Sequence, residues 1–193
     1  ARSELLATEL DGDHADYAAT IEQSVGRLVD SGQKARTLAE AGAGDATPEP
    51  VVLADLAAEV IDAAREEYGG SVTVEIPDDL RLTTQPALLE ILLTNLVENA
   101  LQHVPDAVVT VGAKVEGDDV VLTVSDDGPG VPEHELGVLE RGRETDLNHG
   151  SGIGLWLVRW TATTLEGGLD FDTSDGTTVT VRLPRERTAA EAR

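Results

Sequence analysis

Four short groups of residues carry the side chains of this chain that could do chemistry. The first is Asn95-Leu96-Val97-Glu98-Asn99-Ala100. Asn95 and Asn99 stand one helical turn apart and share a face of a helix, with Gln102 and His103 one turn further on. Amide oxygens hold a hard cation such as Mg²⁺ without adding negative charge, and leave its other octahedral positions to phosphate and water. The second group, Asp126-Asp127-Gly128-Pro129-Gly130, follows the apolar run Val120-Val121-Leu122-Thr123-Val124. A carboxylate at a strand end can accept a hydrogen bond from the exocyclic amine of a base. Gly128 and Gly130 let the backbone pass close to such a ring. The third, Gly150-Ser151-Gly152-Ile153-Gly154-Leu155, opens an apolar helical stretch. Free N–H groups at a helix start point at an anion, and the helix dipole favours negative charge there. No Lys-Ser or Lys-Thr follows, so this is not a Walker A loop. Its glycine spacing is not that of a dinucleotide fingerprint. The fourth, Gly176-Thr177-Thr178, sits at a final hairpin.

In this order the four groups resemble the N box and the three glycine boxes of the ATP-binding domain of sensor histidine kinases. That fold is shared with gyrase and the heat-shock chaperone ATPases. The resemblance covers roughly Pro50 to Pro184. It implies binding of ATP with Mg²⁺ and transfer of the γ-phosphoryl group to a histidine. It assigns the magnesium role mainly to Asn99, with Asn95 nearby, and reading of adenine to Asp126 ahead of Asp127. It gives nucleotide contacts to Gln102, His103, Gly128, Gly130, Gly150, Ser151, Gly152, Ile153, Gly154 and Leu155. Thr177 would hold a water that bridges to Asp126 and the base. The implied partners are ATP, a response-regulator receiver domain and a second copy of the chain joined through N-terminal helices.

Several departures from the family pattern matter. Between Asp126 and Gly150 lies a segment resembling the ATP lid, here short, Glu133 to His149, and without phenylalanine. Its cations Arg141 and Arg143 either reach the γ-phosphate or are surface residues of a loop. The segment is expected to be the most mobile part of the domain without nucleotide. Gln102 replaces a cation common at that place. Asn95 replaces the glutamate that hydrolysing relatives use as general base, which points to a kinase that spares ATP from water. None of His14, His103, His134 and His149 stands in a His-Glu/Asp-x-Arg context. The acceptor histidine is therefore expected upstream of Ala1. A second reading is a nucleotide-dependent interaction module that binds ATP without phosphotransfer.

The elements that must position these groups follow from periodicity. Ile21, Val25, Leu28, Gly32, Ala35 and Ala39 form a heptad seam. Residues 1–44 read as the end of a dimerisation and phosphoacceptor hairpin, followed by a Gly- and Pro-containing linker. Residues 50–184 read as the ATP-binding domain and 185–193 as a charged tail. Within the domain, the pattern gives a strand at Val51–Leu53 and a helix from Ala54 to Glu67 ended by Gly69-Gly70. A strand from Ser71 to Ile76 and another at Leu80–Leu82 lead to a helix from Gln85 to His103. A hairpin of Val108–Val115 and Val120–Val124 turns at Gly117-Asp118. A helix from Ile153 to Leu165 precedes a closing hairpin of Leu169–Thr173 and Thr177–Leu183. The fold class is α+β: a two-layer α/β sandwich with a mixed sheet of about five strands and three helices on one face, preceded by the helical hairpin.

Composition sets the remaining bounds. The net charge of −23 argues against nucleic-acid binding, which needs a basic surface. Cysteine is absent, so there is no disulfide frame or thiolate metal site. No apolar run approaches the ~20 residues of a membrane helix, and a cytoplasmic location is expected. Lys34 and Lys114 are the only lysines among 14 basic residues, and aromatic residues make up 3%. That acidic, lysine-poor composition looks halophilic. It implies that salt, by screening carboxylate repulsion, stabilises the fold.

Overall fold

The computed structural model describes residues 47–102, 108–128, 130 and 152–186. The expectations for the N-terminal hairpin with His14, the Glu133–His149 segment with Arg141 and Arg143, and for His103, Gly150 and Ser151 lie outside the described residues. The order is β1 (Glu49–Val52), α1 (Leu53–Tyr68), β2 (Ser71–Glu75), β3 (Arg81–Thr84), α2 (Pro86–Gln102), β4 (Val108–Glu116), β5 (Asp119–Asp126), α3 (Gly152–Thr164), β6 (Gly168–Asp172) and β7 (Thr177–Pro184). The main sheet has five strands in the order β2-β4-β5-β7-β6. β2 and β4 run parallel and the other neighbours antiparallel, so the sheet is mixed. The expected sandwich is the observed one.

Alternation along the strands makes the core. Val120, Leu122 and Val124 of β5 stand opposite Leu183, Val181 and Val179 of β7, and all six are buried. Val109 and Val111 of β4 continue this layer. Residues at the intervening positions, among them Thr110, Thr123, Thr178 and Thr180, face away from it. On that far face Glu116 bridges Lys114 and Arg182, each at 2.7 Å. Hydrogen bonds from Lys114 and then Arg182 hold the Glu116 carboxyl down at about 2. A carboxyl depressed in the folded state stabilises above its unfolded pKa, so this contribution is full above about 4.5 and is lost as the pH falls from there toward 2.

α2 is the middle helix, in contact with α1, with α3 and with β4 and β5. That position explains its nearly continuous apolar sequence. Leu88, Leu89, Leu92 and Leu93 are wholly buried, and truncating any one to alanine should cost about 2–5 kcal/mol. Pro86 at its first position suits a site whose N–H has no helical partner. α1 begins directly from β1. Its first N–H, on Leu53, donates to the Leu80 carbonyl at 3.0 Å, and it ends at Gly69 with φ 71°. Asp55 in its first turn and Arg65 in its last both favour the helix dipole.

Two departures from expectation bear on the architecture. Leu53 is the first helical residue and not part of a strand, because the apolar run Val51-Val52-Leu53 buries its last member between helix and sheet. The strand expected at Leu80–Leu82 is Arg81–Thr84, and it does not join the main sheet. β1 and β3 pair antiparallel in a separate two-stranded sheet, Val51 opposite Leu82. Thr83 also bridges Glu186, and its N–H donates to the Arg185 carbonyl at 2.9 Å. The residues just past β7 thus tie the small sheet to the large one.

Just past α3, Glu166 stands at φ 60°, the only non-glycine at positive φ among the described residues. A β-carbon is strained in that left-handed conformation, and glycine is the usual occupant at a helix C-terminus. Glu166→Gly is expected to raise stability by about 0.5–1 kcal/mol. A fall in the denaturant midpoint would contradict the strain.

Candidate nucleotide site

The Asn-bearing helix and the helix after the glycine-rich loop meet at one point. A β-carbon on Gly154 would lie 2.9 Å from Asn99 Oδ1 and 3.4 Å from Nδ2. Only glycine lets α3 approach the Asn99 amide so closely. Leu155, next along, is buried. Gly152 begins the helix, so the turn containing Gly152 and Gly154 presents the N-terminal end of α3 beside Asn99. Asn99 Nδ2 is buried with no hydrogen-bond partner among the described residues. A buried amide left unsatisfied costs stability, which fits a group kept ready for a ligand.

Asn95 behaves differently from its neighbour. It is buried, and its Nδ2 donates to the Ile91 carbonyl one turn back at 2.7 Å. That bond ties the amide to its own helix through its donor. Gln102 lies at the exposed end of α2. Its side chain hydrogen-bonds the Tyr68 hydroxyl at the end of α1, where burial, Glu67 and Glu98 hold the phenol proton on well above its usual range. The structure therefore gathers Asn99 and Gly154 but turns Gln102 toward α1.

The second part of the site lies at the ends of β5 and β7. Asp126 is the last residue of β5 and stands opposite Thr177, the first of β7. Thr177 is buried and Asp126 half-buried. Asp126 Oδ1 accepts the Gly128 N–H at 2.9 Å. That bond fixes the carboxylate and leaves its other oxygen available. Gly176, at φ 85°, packs directly on the backbone of Asp126 and Asp127. Gly130, at φ 79°, would set a β-carbon 3.4 Å from the Gly176 carbonyl and 3.5 Å from that of Thr173. The second and fourth motifs are thus one packed unit, held at Gly176 where a side chain has no room and at Gly130 where the positive φ would strain one.

Sequence reasoning passed over one residue here. Asp127 Oδ1 accepts the Val108 N–H at the start of β4, 3.1 Å away. The paired acids of the motif were the visible signal, but the resemblance directed attention to the first. No group of three or more His, Cys, Asp or Glu able to hold a metal occurs among the described residues. A single amide at Asn99, beside an anion-favouring helix start, suits a magnesium ion carried in largely by phosphate oxygens and water.

This sandwich, with a strand-end carboxylate, an inward asparagine and a glycine-opened helix, defines a class of ATP-binding domain. Residues 84–187, more than half the chain, match the profile of the histidine kinase-, DNA gyrase B- and HSP90-like ATPases. The chain belongs to that family. Among curated relatives, the Escherichia coli K12 sensor histidine kinase CpxA is 36% identical over 120 residues, 57% of this chain and 26% of that protein. The Mycobacterium tuberculosis sensor protein KdpD is 32% identical over 114 residues, 57% of this chain and 13% of that protein. The chain thus spans about a quarter or less of these relatives' lengths. The ATP-binding domain of PrrB from Mycobacterium tuberculosis superposes with a TM-score of 0.58 at 28% identity, over 72% of this chain and 98% of that one.

Proposed function

We propose that this chain is the ATP-binding kinase portion of a two-component sensor histidine kinase, passing the γ-phosphoryl group of Mg-ATP to a histidine. The observation that carries this reading is the contact between Asn99 and Gly154. It joins an amide suited to magnesium with the start of a helix suited to phosphate, and no carboxylate general base stands at Asn95. Asp126 would accept a hydrogen bond from the adenine amine, with Thr177 beside it. Guanine presents a carbonyl oxygen at that place, which a carboxylate repels. Gly152 and Gly154 would hold the phosphates on backbone N–H groups and the α3 dipole. Magnesium, when bound, neutralises charge that develops between the β- and γ-phosphates. The protein's own share is position: the base is anchored at β5, the phosphates at α3, and the amide of α2 lies against α3. Arg141 and Arg143 are assigned to the γ-phosphate.

The two curated relatives are a sensor histidine kinase and a sensor protein, and this is the ground for assigning a receiver domain as onward partner and a homodimer through the N-terminal helices. No helix among the described residues is long and apolar enough to cross a membrane. We place the domain on the cytoplasmic side, where ATP is.

Calorimetric titration tests the reading. ATP is expected to bind more tightly with Mg²⁺ than without it, and more tightly than GTP. Asp126→Asn should narrow the ATP-over-GTP preference, since an amide can rotate to offer either a donor or an acceptor. Equal affinity with and without Mg²⁺, and GTP as good as ATP, would sink the assignment.

A further inference from the structure

We infer that Asp127 is a positioning residue for base recognition, one that fixes where β5 leaves the sheet and so where the Asp126 carboxylate is aimed. The inference rests on the nucleotide reading of Asp126. The β4–β5 ladder ends with Thr110 opposite Ser125. Continued by two residues, the same register would set Val108 opposite Asp127. β5 instead stops at Asp126 and turns through Gly128. The Val108 N–H, which a longer β5 would have engaged through its backbone, is taken by the Asp127 carboxylate at 3.1 Å. The side chain thereby replaces a ladder bond and holds the two strands together while the β5 backbone departs.

The two acids of the motif therefore hold different partners. Asp126 bonds forward along its own chain to Gly128, and Asp127 bonds sideways to the neighbouring strand. Gly176 closes the third side, its missing β-carbon being replaced by the backbone of both acids. With Asp127 truncated, β4 and β5 are free to extend their pairing by backbone bonds. Such an extension would pull the Asp127 peptide into the sheet and rotate Asp126, since successive residues of a strand face opposite sides. Asp127 is exposed, so its loss removes no core packing.

Asp127→Ala and Asp127→Asn separate this role from a plain strand-end cap. The asparagine keeps an acceptor oxygen of the same reach and loses only charge. Each variant is titrated with ATP and GTP in the presence of Mg²⁺, and its melting temperature is measured. Asp127→Ala is expected to lose about tenfold in ATP affinity, with a smaller loss for GTP and a nearly unchanged melting temperature. Asp127→Asn should restore both the affinity and the preference. An alanine variant with wild-type ATP affinity and preference overturns the inference, whether or not its melting temperature falls. An asparagine variant as weak as the alanine one also overturns it, because the bond would then not be the means. If the wild-type protein binds ATP no better than GTP, the reading of Asp126 itself fails. That outcome is distinct from a wild type that discriminates and an alanine variant that still does.

Discussion

Gly176→Val is expected to remove about 3–5 kcal/mol of stability and lower the melting temperature by about 10 °C. Two effects add. At φ 85° any side chain is strained, which alone costs about 1–3 kcal/mol. The added β-carbon would also overlap the carbonyl oxygen of Asp126 and lie 3.1 Å from the α-carbon of Asp127. Those atoms are backbone, so no rotamer change relieves the contact. β7 would have to move away from β5 at the residue pair that carries Thr177 and Asp126. Gly117 supplies the internal control: its φ is 64°, but a β-carbon there meets nothing within 4 Å. Gly117→Ala should therefore show the conformational cost alone, about 1 kcal/mol. Guanidinium denaturation of the two variants checks the difference. Equal midpoints would mean that the close approach at Gly176 is wrong.

Asn99→Ala should move binding and stability in opposite directions. Magnesium-dependent ATP affinity is expected to fall about a hundredfold, roughly 3 kcal/mol, as the one amide facing the phosphate end of α3 disappears. Stability should hold or rise by about 0.5 kcal/mol. Alanine is the better helix former, and Asn99 Nδ2 is buried without a partner among the described residues, so its removal leaves nothing unpaired. Titration with and without Mg²⁺, beside a melting curve of the free protein, reads both quantities. An alanine variant that binds Mg-ATP like the wild type would return the metal role to Asn95. A variant that loses stability as well would make Asn99 a structural residue.

The parts of the site legible in the sequence were those where chemistry dictates residue type at fixed spacing. Asn95 and Asn99 one turn apart, Asp126 at the end of an apolar run, and glycines opening α3 needed no knowledge of what lies across from them. The elements followed for the same reason: the apolar run Val120–Val124 and the apolar density of α2 are local signals. What stayed hidden was partner choice. Nothing local shows that Glu49–Val52 pairs with Arg81–Thr84 outside the main sheet, because antiparallel pairing is settled by what each strand buries. The run Val51-Val52-Leu53 is apolar throughout, and periodicity cannot divide three residues between a strand and a helix. Gln102 and Asn95 share a helix with Asn99, yet one serves Tyr68 and the other Ile91, a matter of which neighbour each face of α2 meets. The Asp127 bond depends on where β5 stops, which is decided by β7 and Gly176.

The strand order also bears on how the protein comes to fold. Asp126 and Thr177 are neighbours in the sheet but belong to segments separated in the chain by the whole of α3 and β6. Loops that long are closed late, because their entropy must be overcome before the contact gains anything. The hairpin of β4 and β5 can form early, but the Asp126–Thr177 pair proposed to meet the base cannot exist until β7 has docked. Nucleotide is thus a ligand of the finished fold alone. It should slow unfolding without speeding the steps before β7 arrives, and a bound fluorescent ATP analogue would time the last act of assembly.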